Sequence, residues 1–445
     1  MTRELHLTSG SIPPQLFRLW VPLLCASVLQ QLYNIINAKV VAIYLGGDAF
    51  AALGVAESVM NLFIFAITGA CTGASVLIAR FYGEENLPRL RQQLYVSAVL
   101  IGGCTLSIVL LGQLFLPQLL SVIQTPAELM ADVSAYLRVI LVGCVFTFTY
   151  NYLASALRAV GDTQAALMFL LLSLGYNLLA AWLLVAVFPL GITGTALATA
   201  SAQLISSLLC LVYIRKKRPF LTIHRGDMNM DIELIRLTSS YAVIAALQQS
   251  SLYLGKLLIQ GAVNGISTAA IAAFTAANRV ENFVQAFGIS ASETLAIFIA
   301  QNFGANQRKR AVTGFLQGMV ITVTIGVFFS AGTVIFAAPL SDLFLRSEPE
   351  AAALCTSFLR LIGGFYLLSF FGNTFVGWFR GCGRMNITFW GTTMQISIRA
   401  AGTYLLVSAM GLNAVALSTG IGWFAIVIFQ TVLFLRDYRN IRSAS

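Results

Sequence analysis

The sequence predicts an all-α polytopic membrane protein with twelve transmembrane helices in two six-helix lobes, related by a parallel internal repeat. Three observations carry that prediction. Hydrophobic residues make up 58% of the 445 residues and charged residues only 10%, with a mean hydropathy of +0.83, so the chain holds more apolar surface than a soluble fold of this length buries. The apolar blocks exceed the roughly 20 residues that an α-helix needs to cross a bilayer, and they lack the short alternating pattern of an outer-membrane barrel. Finally, short motifs recur at a near-constant spacing along the chain.

Taken in order, the apolar blocks predict spans at 18–45, 50–79, 93–116, 133–157, 164–187, 191–214, 237–263, 268–300, 311–336, 353–379, 386–409 and 412–435. Residues 1–16 contain Arg3, Glu4 and His6 and no small-residue cleavage site, so no removable signal peptide is expected. Leu137-Arg138 recurs as Leu359-Arg360, and Arg158-Ala159-Val160-Gly161 as Arg380-Gly381-Cys382-Gly383, both at an offset of 222. Ala51-Ala52-Leu53 matches Ala272-Ala273-Phe274 at 221, and Leu29-Gln30-Gln31 returns as Leu247-Gln248-Gln249 at 218. Six spans per half is an even number, so both halves start on the same side of the membrane. The expected domains are an N-lobe over 1–214, a cytoplasmic linker over 215–236 and a C-lobe over 237–445. The linker opens with Arg215-Lys216-Lys217-Arg218 and reads as a basic anchor.

The net charge of +10 follows from topology. Twenty of the 27 Lys and Arg lie in the termini and alternate loops, whereas the other loops hold only Arg346 beside Asp48, Glu128, Asp342, Glu348 and Glu350. This asymmetry puts both termini in the cytoplasm of a multi-pass protein of the inner or plasma membrane. No nucleic-acid partner is needed to explain the charge. The seven cysteines stand singly without a CxxC pair, which predicts neither a disulfide framework nor a metal. His6 and His224 are the only histidines, and no HExxH, GxSxG or GxxxxGK[ST] motif occurs, so an enzyme or an ATP-driven pump is not expected.

Candidate functional residues are the polar groups left at membrane depth. The first span carries Gln30, Gln31, Tyr33, Asn34, Asn37 and Lys39, and a central lysine alone costs roughly 2.5 to 3.5 kcal/mol to insert. Such a run marks either a functional site or a hydrogen-bonded packing network. Lys39 and Glu57 lie at similar depth and could pair. Lys256 lies nearer the outside than Glu281, yet is a better partner for it than Arg279, which points elsewhere on the helix. Asn278, Glu281, Asn282 and Gln285 stand three or four residues apart and form one polar stripe. Asn177 adds an amide in the fifth span. For Glu281, Glu293 and Glu57 a coupling role and a structural ion pair both fit, and Arg399 suits hydrogen bonds to polar neighbours. The pairs Gly69/Gly73, Gly261/Gly265 and Gly377/Gly381 read as helix-packing positions.

With these residues in place, the chain resembles the multidrug and toxic compound extrusion family over nearly its whole length. The resemblance rests on Pro22 followed by Gln30-Gln31-Leu32-Tyr33-Asn34, on Leu45-Gly46-Gly47-Asp48-Ala49, on Arg158-Ala159-Val160-Gly161-Asp162-Thr163, and on Ala300-Gln301-Asn302-Phe303-Gly304-Ala305. It implies a cation-coupled antiporter that exports amphipathic small molecules through a cleft between two lobes by alternating access. Departures matter as much. Where many members carry aspartates this chain has Asn37 and Ala181, and where sodium-coupled members place acids it has Lys256 and Asn373.

An asparagine does not titrate, so Glu281, Glu293 and Glu57 are the remaining ion-coupling candidates, with proton or sodium as the ion and no cofactor. Substrate-binding candidates are Gln31, Tyr33, Asn34, Asn37, Lys39, Asn177, Lys256, Asn278, Asn282 and Gln285. Two ammonium groups favour anionic or zwitterionic cargo, which supports an alternative, a flippase or exporter of an anionic lipid or lipid-linked saccharide. A second alternative is a non-transporting membrane scaffold or sensor. The expected partners are a small-molecule substrate and membrane lipid, and the expected state is a monomer.

Overall fold

The computed structural model describes the backbone of residues 7–122, 124–188 and 190–443, and the side chains of those residues apart from 34, 35, 37–42, 46–51, 440, 442 and 443. Among the described residues twelve α-helices follow one another: α1 (Ile12–Gly83), α2 (Leu87–Val122), α3 (Met130–Ala159), α4 (Thr163–Trp182), α5 (Gly191–Lys217), α6 (Ile232–Asn264), α7 (Thr268–Gly304), α8 (Arg308–Ile335), α9 (Ala337–Leu345), α10 (Pro349–Gly381), α11 (Met385–Met410) and α12 (Asn413–Ser443). A π-helical turn, Leu183–Val187, extends α4. Among the described residues eleven stretches are long and apolar enough to cross a bilayer.

Two differences from the expected elements have physical reasons. The first two spans, Ile12–Tyr33 and Ala52–Gly83, belong to one helical run of 72 residues. Gly46 and Gly47 do not end it, because an interior glycine costs a helix only about 1 kcal/mol and no proline follows Pro22. The short helix α9 was not expected. It turns Ala337, Ser341 and Leu345, spaced four apart, onto one buried face, and Thr356 donates to the Ser341 hydroxyl at 3.0 Å. Helix α11 is long enough to span, about 39 Å at 1.5 Å per residue. Gln395, Arg399 and its hydroxyl residues keep it out of the apolar set.

The repeat is written in the backbone. Left-handed conformations recur in pairs: Glu85 (φ 55) with Asn306 (φ 56), Gly161 (φ 88) with Gly383 (φ 77), and Gly191 (φ 58) with Gly411 (φ 53). These pairs lie 220 to 222 residues apart; the first two follow corresponding helix ends, where a residue in this conformation stops the ladder, while Gly191 opens α5 and Gly411 ends α11.

The chain forms two compact units, one holding Cys25–Gln249 and the other His6–Leu24 with Ser250–Ser445. Helices α1 and α6 thus each divide between the units, α1 after Leu24 near its start and α6 after Gln249 near its middle. In the first unit Ala52, Leu53 and Ala56 pack with Leu116, Leu120, Tyr136, Leu137 and Ile140. In the second, Phe274, Val280 and Val284 pack with Phe358, Ile362, Tyr366 and Phe370. Close helix approach uses glycines at two of the three expected pairs. A Cβ on Gly69 would stand 2.7 Å from the Ala245 carbonyl, and one on Gly377 2.7 Å from that of Ser292. Gly261 of α6 and Gly265 just after it differ: a Cβ at either would meet only ordinary contacts, the Tyr404 hydroxyl and the Ala262 carbonyl at 3.5 Å. Leu110, Leu114, Phe328, Leu343 and Leu405 are more than 60% exposed, as side chains facing hydrocarbon are.

Polar clasps close one end of each unit. In the first, Arg89 pairs with Glu233 at 2.7 Å and Arg91 with Asp227 at 3.0 Å, so the chain before α6 is pinned to the start of α2. In the second, Arg310 donates to the carbonyls of Leu7 (3.1 Å), Ser9 (3.2 Å) and Gly10 (2.8 Å) and to Gln15 Oε1 (2.9 Å). Arg89 and Arg310 are 221 apart, and their partners Glu233 and Gln15 are 218 apart. The same junction is therefore built twice.

Candidate functional site

In the first unit, α1, α4 and α5 bring Tyr33, Asn177 and Thr199 into one chain. Tyr33 Oη donates to Asn177 Oδ1 at 2.6 Å, and Asn177 Nδ2 donates to Thr199 Oγ1 at 3.1 Å. Asn177 is 4% exposed, so this amide is held inside the fold with its carbonyl and amine both occupied. Glu57, on the second apolar span of α1, is exposed and interacts electrostatically with Tyr33 and with Tyr136 of α3. Gln31 is half-buried two residues before Tyr33. The candidates Asn34, Asn37 and Lys39 have side chains outside the described residues.

The second unit holds the polar stripe of α7. Asn278, Glu281, Asn282 and Gln285 are all half-buried, and the stripe faces α10 through Gln285, whose Oε1 accepts from Ser369 Oγ at 2.9 Å and Asn373 Nδ2 at 3.4 Å. A Cβ on Gly288 would stand 2.8 Å from Asn373 Nδ2, so the bare backbone of α7 lets this amide approach. Lys256 of α6 interacts electrostatically with Glu281 and with Arg399 of α11. Tyr366 of α10 interacts with Glu281 as well. Four helices of one unit therefore direct ionisable groups at a common region.

Within this group hydrogen bonding is incomplete. Glu281 Oε2, Gln285 Nε2, Tyr366 Oη and Arg399 Nε are buried and have no hydrogen-bond partner among the described residues. A buried polar atom without a partner costs on the order of 1 to 3 kcal/mol. Several such atoms on residues of neighbouring helices describe a place where protons, ions, water or a ligand would complete the bonding. Glu293 lies further along α7, apart from that group, and interacts with Arg380 near the end of α10.

Thr199, Tyr136, Ser369 and Tyr366 were not among the expected site residues. A hydroxyl in an apolar span reads as a helix-packing residue, and only packing between helices showed which of them meets an amide or a carboxylate. Among the described residues, no group of three or more His, Cys, Asp or Glu could hold a metal ion.

Comparison with known proteins places these features. The family model MatE matches residues 22–183 and again residues 245–405. The chain is 30% identical to a probable multidrug resistance protein, YoeA, of Bacillus subtilis, covering 79% of this chain and 77% of that one. It is 27% identical to a protein of Shewanella oneidensis named FAD transporter, over 69% of this chain and 68% of that one. Its fold matches an outward-facing multidrug resistance MATE family transporter of the MOP superfamily with a TM-score of 0.90 at 22% identity, covering 100% of this chain and 99% of that one.

Proposed function

We propose, on the premise that the chain belongs to the MatE family of transporters, that it is a secondary active exporter. It moves amphipathic small molecules by alternating access and is driven by a cation gradient, with the proton as coupling ion. The observation that carries this reading is Glu281: one carboxylate oxygen is buried without a donor, and Lys256 and Tyr366 are its electrostatic neighbours. A proton arriving at Oε2 neutralises the carboxylate and turns that oxygen into a donor, and its departure returns the negative charge to the field of Lys256. That exchange is the elementary step a coupling group must perform.

The cargo we propose carries an anionic or zwitterionic group. Lys256 and Arg399 put two positive charges against the one carboxylate of Glu281, and a net positive site attracts anions and repels lipophilic cations. One relative is named for FAD, a molecule with a pyrophosphate. Both termini belong in the cytoplasm, on the strength of the basic loops.

Transport into inverted vesicles tests the reading, with anionic and cationic fluorescent compounds offered in parallel across a series of imposed pH gradients. The expected result is gradient-dependent accumulation of the anionic probe, with the pH dependence lost in Glu281→Gln. Unchanged pH dependence in that variant removes Glu281 from the mechanism, and accumulation of cations alone overturns the proposed cargo class.

A further inference from the structure

We propose that a groove on the first unit, between α2, α3 and α5, binds an anionic phospholipid with its phosphate at Arg138. The groove encloses roughly 540 Å³ and is walled mainly by apolar side chains, among them Val142, Phe146, Leu197 and Leu204. Its polar lining is Arg138, Gln113 and Ser201. Two of these three are engaged within the protein. Gln113 Nε2 donates to the Arg138 carbonyl at 2.7 Å, and Ser201 Oγ donates to the Leu197 carbonyl at 2.7 Å. The Arg138 guanidinium is exposed and forms no ion pair with a described residue.

Arg138 stands eight residues after Met130, the first residue of α3, which puts its Cα about 12 Å along the helix from that end. A cation at such depth either snorkels toward water or meets an anion. A phosphate diester supplies two oxygens in the geometry that a guanidinium fork accepts. The apolar walls continue onto the surface of α3 and α5, where Val142 is 51% and Leu197 40% exposed. One cation beside an apolar trough matches the one phosphate and the acyl chains of a lipid. A small hydrated anion would leave the trough bare.

Native mass spectrometry of the purified full chain tests this, with phosphatidylglycerol and phosphatidylcholine added separately from mixed micelles. The wild-type chain should retain phosphatidylglycerol about tenfold more tightly than phosphatidylcholine, because the quaternary ammonium of the latter cancels the charge of the phosphate that both lipids carry and is repelled by Arg138. Arg138→Gln should remove that preference. Val142→Trp, which fills the trough and keeps the charge, should weaken phosphatidylglycerol retention as well. Both positions are exposed, so neither substitution disturbs the packed interior. A preference that survives Arg138→Gln overturns the proposal. So does displacement of the lipid by millimolar inorganic phosphate with Val142→Trp behaving as wild type, which would mark a site for free phosphate.

Discussion

Glu281 of α7 and Lys256 of α6 interact electrostatically, and their charges set opposite expectations. Lys256→Glu should reverse cargo preference from anionic to cationic compounds, because it turns a net positive group into a net negative one; competition between anionic and cationic probes in vesicles measures the switch. Glu293→Gln should leave the pH dependence of transport in place, since Glu293 stands against Arg380 and away from the stripe. Tyr33 makes a different kind of contribution. Tyr33→Phe takes a donor from the buried Asn177 carbonyl and should lower stability by about 1 to 3 kcal/mol, read as a fall in the unfolding midpoint in detergent. The amides and charges of this group stood out in the sequence because hydrocarbon penalises them. Thr199 and Ser369 did not, because a Ser or Thr hydroxyl in an apolar helix can bond its own backbone at little cost, as Thr199 does to Thr195 at 3.0 Å, and Tyr366 did not, because an aromatic ring in an apolar span reads as packing.

Corresponding helix ends carry mirror-image ion pairs. Asp162 caps α4 through Ala165 N (3.3 Å) and accepts from Tyr213 Oη and from Arg218 Nε, both at 2.9 Å. At the matching position of the second half stands Arg384, bound to Asp437 of α12. Exchanging the charges should therefore have unequal consequences. Arg384→Asp with Asp437→Arg should come close to wild-type thermal stability, short of the contact of Arg384 with the Phe379 ring, since that arginine is 44% exposed. Asp162→Arg with Arg218→Asp should remain below wild type by about 1 kcal/mol, the worth of the lost cap. The linker clasp responds to acid. Burial works against ionised Asp227, but the His224 backbone N–H and the Arg91 guanidinium outweigh it and hold its carboxyl below the usual carboxylate range. Its stabilisation is complete above the unfolded value of about 3.9 and is lost as pH falls through the lower folded value. Amide exchange at residues 225–231, corrected for intrinsic rate, should rise below about pH 4, and Arg91→Gln should reduce that rise, the His224 N–H remaining.

Across the molecule, the repeat pairs turn with turn and clasp with clasp. Membrane-impermeant maleimide should label a cysteine placed at Glu348 from outside intact cells and one at Arg225 only after permeabilisation, in a background without the native cysteines; the opposite pattern would invert the topology. The sequence by itself determined the membrane class, the internal repeat and the charged stripe of α7, because each follows from composition or spacing along one chain and the cost of polarity in hydrocarbon is local. Only the tertiary structure decided that α1 and α6 each serve two compact units, that Arg310 closes on the carbonyls of Leu7, Ser9 and Gly10, and that Gln285, Ser369 and Asn373 share a hydrogen-bonded cluster. Those outcomes depend on which helix faces meet, and a one-dimensional pattern that marks a face as polar is silent about the partner that packing presses against it.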